Sequence, residues 1–376
     1  MTSSSARRRW LSGCDAIDTM PPRPLRASTL GLLATLLASA CSTFYAGQPT
    51  PVIAGSAGGA SRPELNTAPS PEPFRFNLPT PGPEPVSGWR PPLYSVPWAM
   101  SPHDHFYFAR PIAADTVNWP LADYRYGGIF FAPEIVHTGV DIAASTGTPV
   151  LAAGPGQLVW TGWGLFSGVP GNEFDPYGLA VALRHDFGYQ GQQLYTVYAH
   201  MSRVDGVLGQ HVETGDQLGL VGDTGETTGP HLHFEVRLPE NSFHHTYNPE
   251  LWLAPPQGWG VLAGRVANSR GASIPDLDVY VRSEATREVR LVRTYGGDPT
   301  NADPYYNENL VMGDLPAGIY RVTFRLEDED QQTWVEVQPG QVTYVAFRVG
   351  RGFDAALPSP TSLPFVPALP PATASP

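Results

Sequence analysis

The chain has 376 residues, 41% of them hydrophobic, enough to bury at least one substantial core and, by length, to form about two domains. Its formal net charge is −12, all of its 23 basic residues are arginine, and no basic stripe or cluster is available in the folded region, which excludes a nucleic-acid-binding footprint. The six arginines between Arg265 and Arg293 are interleaved with Asp and Glu, as on a solvated sheet face.

In chain order, "RASTLGLLATLLASAC" comes first, joining a basic flank to an apolar run from Leu30 to Ala40. That run is too short to span a bilayer comfortably and suits a signal peptide. Ala38, Ser39 and Ala40 precede Cys41, which resembles the cleavage and lipidation site of a bacterial lipoprotein, although Ala38 stands where that pattern usually has Leu. Ordinary signal cleavage near the same place is the other reading. Residues 1–41 are therefore read as a leader, and a start at Met20 would shorten it to "MPPRPLR…" and leave out Cys14. From Ser42 onward there is no cysteine, so no disulfide framework can form there. Residues 42–93 and 351–376 lack apolar periodicity and are rich in proline, which predicts a disordered linker and a disordered tail. A lipidated Cys41 on such a linker would tether a folded domain near a membrane.

Residues 94–257 carry short glycine-punctuated runs, among them "GTPVLAAGPGQLVWTG", "YGLAVALRHDFG", "QLYTVYAHMS" and "HLHFEVRL". They predict an all-β domain built on an antiparallel sheet, with "GWGLFSGVPGNEFDPYG" as a long loop near one rim. Residues 258–350 alternate Val, Tyr, Leu and Phe with polar partners between turn residues, the pattern of a small β-sandwich. Through "GRVANSRGASIPDLDVYV" and "DLPAGIYRVTF" this part resembles carboxypeptidase-regulatory-like or transthyretin-like sandwiches. It has neither histidine nor cysteine.

The histidines of the first domain carry the chemistry. In "HLHFEVR" the strand alternation puts His231, His233, Glu235 and Arg237 on one face and Leu232, Phe234 and Val236 on the other, facing a core. Glu235 could orient a ligand or form an exposed ion pair with Arg237. In "HTGVDIA" a straight strand would separate the backbones of His137 and Asp141 by about 13 Å, too far to share an ion, so the chain must bend, and Gly139 permits it. His137, Asp141 and His233 together offer nitrogen, oxygen and nitrogen donors, which with one position left open is the pattern of a catalytic zinc. His185 is read as structural at a turn, His211 as solvated, and His244 and His245 as part of a polar exit loop. His103 and His105 flank Asp104 as surface residues or an adventitious metal site, and Tyr198 shares a face with His200 if its strand is regular.

Taken in order with "YTVYAHMS" and "GDTGETTGPHLHFEVR", these motifs resemble the lysostaphin/LytM-type zinc metallopeptidases that cut peptide bonds in bacterial cell walls, over roughly residues 106–252. The resemblance implies one catalytic Zn2+ held by His137, Asp141 and His233, with His231 and His200 as catalytic histidines. It also implies an exported peptidoglycan endopeptidase of the cell envelope, lipid-anchored or secreted, acting on wall peptides. Chemically, a neutral His231 suits the base that takes a proton from zinc-activated water, and His200 the donor to the oxyanion, although the two roles could be exchanged. The alternative is a catalytically silent wall-binding or amidase-activating protein on the same scaffold; such proteins usually lack one of these five residues, and all five are present. Because the chain is acidic, attraction to anionic wall polymers is not how it would find substrate. Activity on wall material is expected to persist as salt is raised, and a steep loss with ionic strength would contradict this.

Overall fold

The computed structural model describes residues 91–113, 122–129, 136–354 and 356. The leader with Cys41, the linker to residue 90 and most of the 351–376 tail lie outside the described residues. The first nine strands are β1 (Val140–Ala143), β2 (Pro149–Leu151), β3 (Gly156–Trp163), β4 (Leu179–Tyr189), β5 (Gln192–Val204), β6 (His211–Val212), β7 (Gln217–Val221), β8 (His231–Arg237) and β9 (Thr246–Tyr247). They are followed by β10 (Trp259–Ala267), β11 (Asp278–Ser283), β12 (Val289–Arg293), β13 (Thr300–Asn301), β14 (Leu310–Pro316), β15 (Gly318–Leu326), β16 (Glu329–Val337), β17 (Val342–Arg348) and β18 (Gly352–Asp354). Among the described residues the helices are single 3-10 turns at Ala122–Tyr124, Phe243–His245 and Pro249–Leu251, and none is long and apolar enough to cross a membrane.

The first nine strands and β13 form one sheet with the main path β13-β9-β8-β5-β4-β3-β6, to which β1 joins through β8, and β7 through β5 and β2. The β4–β5 hairpin turns on Gln190 and Gly191, at φ 51° and 77°, the two positive values that a turn matched to strand twist requires. Two four-stranded sheets, β14-β10-β17-β18 and β12-β11-β15-β16, enclose a second core containing Leu262, Val279, Met312, Val322 and Phe347. This part continues past residue 350, where the sequence placed the start of the tail, because Phe353 of β18 packs on Phe324 and Phe347.

The strand β10 joins the two cores. Val261 and Ala263 belong to the first, with Phe106, Phe108 and Trp252, while Leu262 and Val266 belong to the second. A strand covered on both faces reads as a continuous apolar run, which "GVLAG" is before Arg265 interrupts it.

Pairing of β1 with β8 sets Asp141 opposite His233 and Val140 opposite Phe234, so the core side chains share one face and the polar pair the other. Gly139 precedes β1 and is needed for room: a Cβ there would overlap the Phe234 carbonyl oxygen and lie 2.9 Å from the His233 ring. Gly139→Ala is expected to cost about 1–3 kcal/mol as overpacking and to displace the His233 imidazole; unchanged stability in urea titration would contradict it. Because one strand serves both cores, the full chain is expected to unfold in a single transition, with tryptophan fluorescence and near-UV circular dichroism coincident. Two separated midpoints would show independent halves.

Candidate metal centre

Each functional side chain arrives by a different local device. The turn at 122–128 positions His137. The His137 N–H donates to Gly128 O at 2.8 Å and its carbonyl accepts from Gly127 N at 2.7 Å. Its ring Nδ1–H donates to the Arg125 carbonyl at 2.9 Å, so Nε2 is the nitrogen left with a lone pair. His233 is fixed the other way round: Nε2–H donates to Glu235 Oε1 at 3.0 Å, leaving Nδ1 bare.

These two nitrogens meet the Asp141 carboxylate. His137 Nε2 lies 2.9 Å from Asp141 Oδ1 and 2.9 Å from His233 Nδ1, and His233 Nδ1 lies 3.0 Å from the same oxygen. Among the described residues this is the group of three or more His, Cys, Asp or Glu side chains whose donor atoms could share one ion, all lying within 4.8 Å of one another. With both ring protons on the outer nitrogens, two imidazole lone pairs and a carboxylate converge on one point, an arrangement suited to a cation, be it a metal ion or a proton on His233 Nδ1. In the ion-free arrangement burial works against charge on His233, yet hydrogen bonds to Asp141 and Glu235 outweigh it and push its pKa up to about 9. Burial likewise opposes ionisation of Asp141, but the His137 and His233 imidazoles hold its carboxyl well below the usual range.

Glu235 resolves the two readings left open by the sequence, since it does both jobs and is not exposed. It is fully buried. Its Oε1 accepts from His233, from Thr138 Oγ1 at 2.5 Å and from Tyr177 OH at 2.6 Å, while Oε2 accepts from Arg237 Nε at 2.6 Å. Arg237 also donates to Tyr177 OH at 2.9 Å. Burial alone would raise the Glu235 pKa, but the Arg237 charge and the His233 hydrogen bond lower it to about 2, so it remains a carboxylate that orients the ring. Thr138 and Tyr177 were missed in the sequence. Tyr177 ends a Gly/Pro-rich loop, and no periodicity there marks which residue turns inward.

A β-bulge aims His200. Leu179 pairs with Met201 but Val181 pairs with Tyr198, so two steps along β4 are matched by three along β5, and the extra residue falls at Ala199–His200. His200 takes φ 61°, rare for a non-glycine residue, and its N–H donates to Tyr177 O at 2.9 Å. Without the bulge it would share the core face with Tyr198; with it, its ring lies 4.7 Å from that of His231 and 5.6 Å from that of His233. Tyr198 is thus not in the cleft: it is fully buried, packs on Phe234 and accepts from Ala153 N at 2.8 Å.

His231 holds Gly229 O through Nδ1 at 2.7 Å, with Nε2 3.5 Å from Asp141 Oδ1. His137, Asp141, His200, His231 and His233 keep 4–8% exposure, which puts the cluster just beneath solvent.

The other histidines are elsewhere. His185 lies within β4 rather than at a turn, buried between Pro155 O and Thr196 Oγ1. His211 is exposed and pairs with Asp186, and His244 pairs with Asp298. His103 and His105 form no exposed metal site with Asp104: His105 is fully buried against Trp252, at 4.2 Å between rings, and His103 stacks on Tyr305.

Residues 135–245 match the sequence profile of peptidase family M23. Over 103 residues the chain is 42% identical to the DD-carboxypeptidase/endopeptidase Mpg of Neisseria meningitidis, covering 27% of this chain and 20% of that protein. It is 38% identical over 101 residues to the peptidoglycan DD-endopeptidase ShyA of Vibrio cholerae, covering 27% and 20%. With the glycyl-glycine endopeptidase ALE-1 of Staphylococcus capitis it shares 30% identity over 149 residues, covering 40% and 37%. The chain spans between 20% and 37% of the length of these relatives. The stretch that bears His137, Asp141, His200, His231 and His233 is a peptidase family M23 domain.

Proposed function

We propose that the protein is a zinc metalloendopeptidase that hydrolyses peptide bonds in bacterial peptidoglycan, with His137, Asp141 and His233 holding one ion and His231 and His200 as catalytic residues. The observation that carries this reading is the convergence of two oriented imidazole lone pairs and a carboxylate at 2.9–3.0 Å. A relative named as a peptidoglycan DD-endopeptidase supports the substrate class, and one named as a glycyl-glycine endopeptidase the peptide-bond chemistry. Export to the cell envelope, by lipid anchor at Cys41 or by secretion, rests on the leader-like "RASTLGLLATLLASAC".

A zinc ion held by these groups would supply Lewis acidity, activating water for attack on an amide carbonyl. Burial lowers the pKa of His231, so its Nε2 is a free acceptor at neutral pH. Once Nε2 has taken a proton from the attacking water, the Asp141 carboxylate stabilises the imidazolium, which then delivers that proton to the leaving amine. The sequence left the oxyanion-donor role of His200 exchangeable with the base role of His231, and we assign His200 a different part. Its Nδ1–H is committed to Thr224 O at 2.8 Å, so Nε2 is an acceptor, and burial with the neighbouring His233 and His231 lowers its pKa to about 3. In the proposed reaction His200 accepts a hydrogen bond from the attacking water and keeps it in line.

Digestion of purified peptidoglycan by the full chain, with mass analysis of the fragments, tests this. Peptide-bond products are expected, lost with chelator and restored by zinc. His233→Ala is expected to lose the metal, and His231→Ala to keep it while activity falls at least about 100-fold. Products unaffected by chelator, or near-normal turnover by His231→Ala, would contradict the proposal, and a zinc-loaded chain that releases nothing would favour the silent scaffold.

A further inference from the structure

We infer that the β10–β18 half of the molecule is a working part of the metal centre: Arg293, Tyr295 and Asn301 clamp the turn 122–128 that positions His137, and so they set the affinity for the ion. This rests on the reading of His137 as a ligand.

The turn needs an outside support. Its internal hydrogen bonds are Arg125 N to Ala122 O at 3.3 Å and Gly128 N to Arg125 O at 2.9 Å, the first of them long. Yet it makes two backbone hydrogen bonds to His137, and the Arg125 carbonyl decides which nitrogen that ring presents. A shift of the carbonyl would turn the imidazole away from Asp141 and His233.

Part of that support is nearer in the chain, the buried Arg125 donating through Nη1 to Glu250 Oε2 at 2.6 Å, and the rest comes from the far end of the sequence. Tyr295 occupies the space where a Cβ on Gly127 would stand, with Gly127 at φ 77°, so no side chain separates turn from ring. The Tyr295 and Tyr126 rings meet edge to face at 5.1 Å. Tyr126 OH donates to Thr246 O at 2.7 Å and accepts from Asn301 N at 2.8 Å, in the place where β13 runs parallel to β9. At the start of the turn, Arg293 Nη1 donates to Asp123 Oδ1 at 2.5 Å. Tyr295 is itself pinned, its OH donating to Glu308 Oε1 at 2.6 Å and its N–H to Asn309 O at 2.7 Å. The ring, the strand and the guanidinium thus grip one turn at three successive points, about one residue layer behind a metal ligand.

Groups that orient a ligand from behind typically govern metal affinity by about 10–100-fold. They act as positioning residues, since none touches the reacting atoms. The test is zinc affinity of the full chain, measured by competition with a chromogenic chelator and read without any substrate. Tyr295→Ala is expected to weaken zinc binding by about 10–100-fold, and Tyr126→Phe, which keeps the ring and removes only the bridging hydroxyl, by several-fold. Val322→Ala, in the second core and remote from the turn, is expected to lower folding stability while leaving zinc affinity unchanged. Should Tyr295→Ala fail to fold, Tyr126→Phe against Val322→Ala carries the comparison. Wild-type affinity in both tyrosine variants, or an equal loss in Val322→Ala, overturns the clamp while leaving the ligand assignment standing. A wild-type chain that takes up no zinc overturns the ligand assignment and the clamp with it.

Discussion

Two imidazoles and a carboxylate drawn within 3.0 Å of one another, with the remaining ring protons committed elsewhere, are an unstable arrangement unless positive charge sits among them. Much of the surrounding architecture exists to impose that arrangement. Outward-facing hydrogen bonds to a backbone carbonyl and to Glu235 choose the tautomers. Glu235 is itself anchored by Thr138, Tyr177 and Arg237, and so the polarity of the cluster is set several bonds away from any ion.

A regular sheet could not supply this site. Alternation along β8 delivers His231 and His233 to one face, but β1 reaches Asp141 only after the chain passes Gly139 tightly against β8, and β5 turns His200 out of the core only by inserting a residue. Each irregularity has a cost in packing or backbone strain that the cores offset. The two cores meet across β10, and the chain reinvests that contact in the turn behind His137.

Period-two patterning made the strands legible, along with the shared face of His231, His233 and Glu235, because burial on one side leaves an imprint on each alternate residue. The bend between His137 and Asp141 was legible as a necessity of distance, although its cause proved to be the room Gly139 leaves beside β8. The bulge at Ala199–His200 was not legible: nothing in "YTVYAHMS" announces an inserted residue, and regular alternation put Tyr198 on the face of His200 and left open whether it lines the cleft or packs in the core, where it lies. Tyr177 was hidden for a related reason, as an inward turn at the end of an irregular loop obeys no period. Contacts such as Gly127 with Tyr295 join residues far apart in sequence, and composition records none of them.

The central claim is that one divalent ion sits where His137, Asp141 and His233 meet. Anomalous scattering from crystals of the zinc-supplemented chain, collected on both sides of the zinc edge, addresses it directly. The account requires a single strong peak bounded by Nε2 of His137, Nδ1 of His233 and the Asp141 carboxylate. No peak there, or a zinc ion held by other side chains, would contradict it.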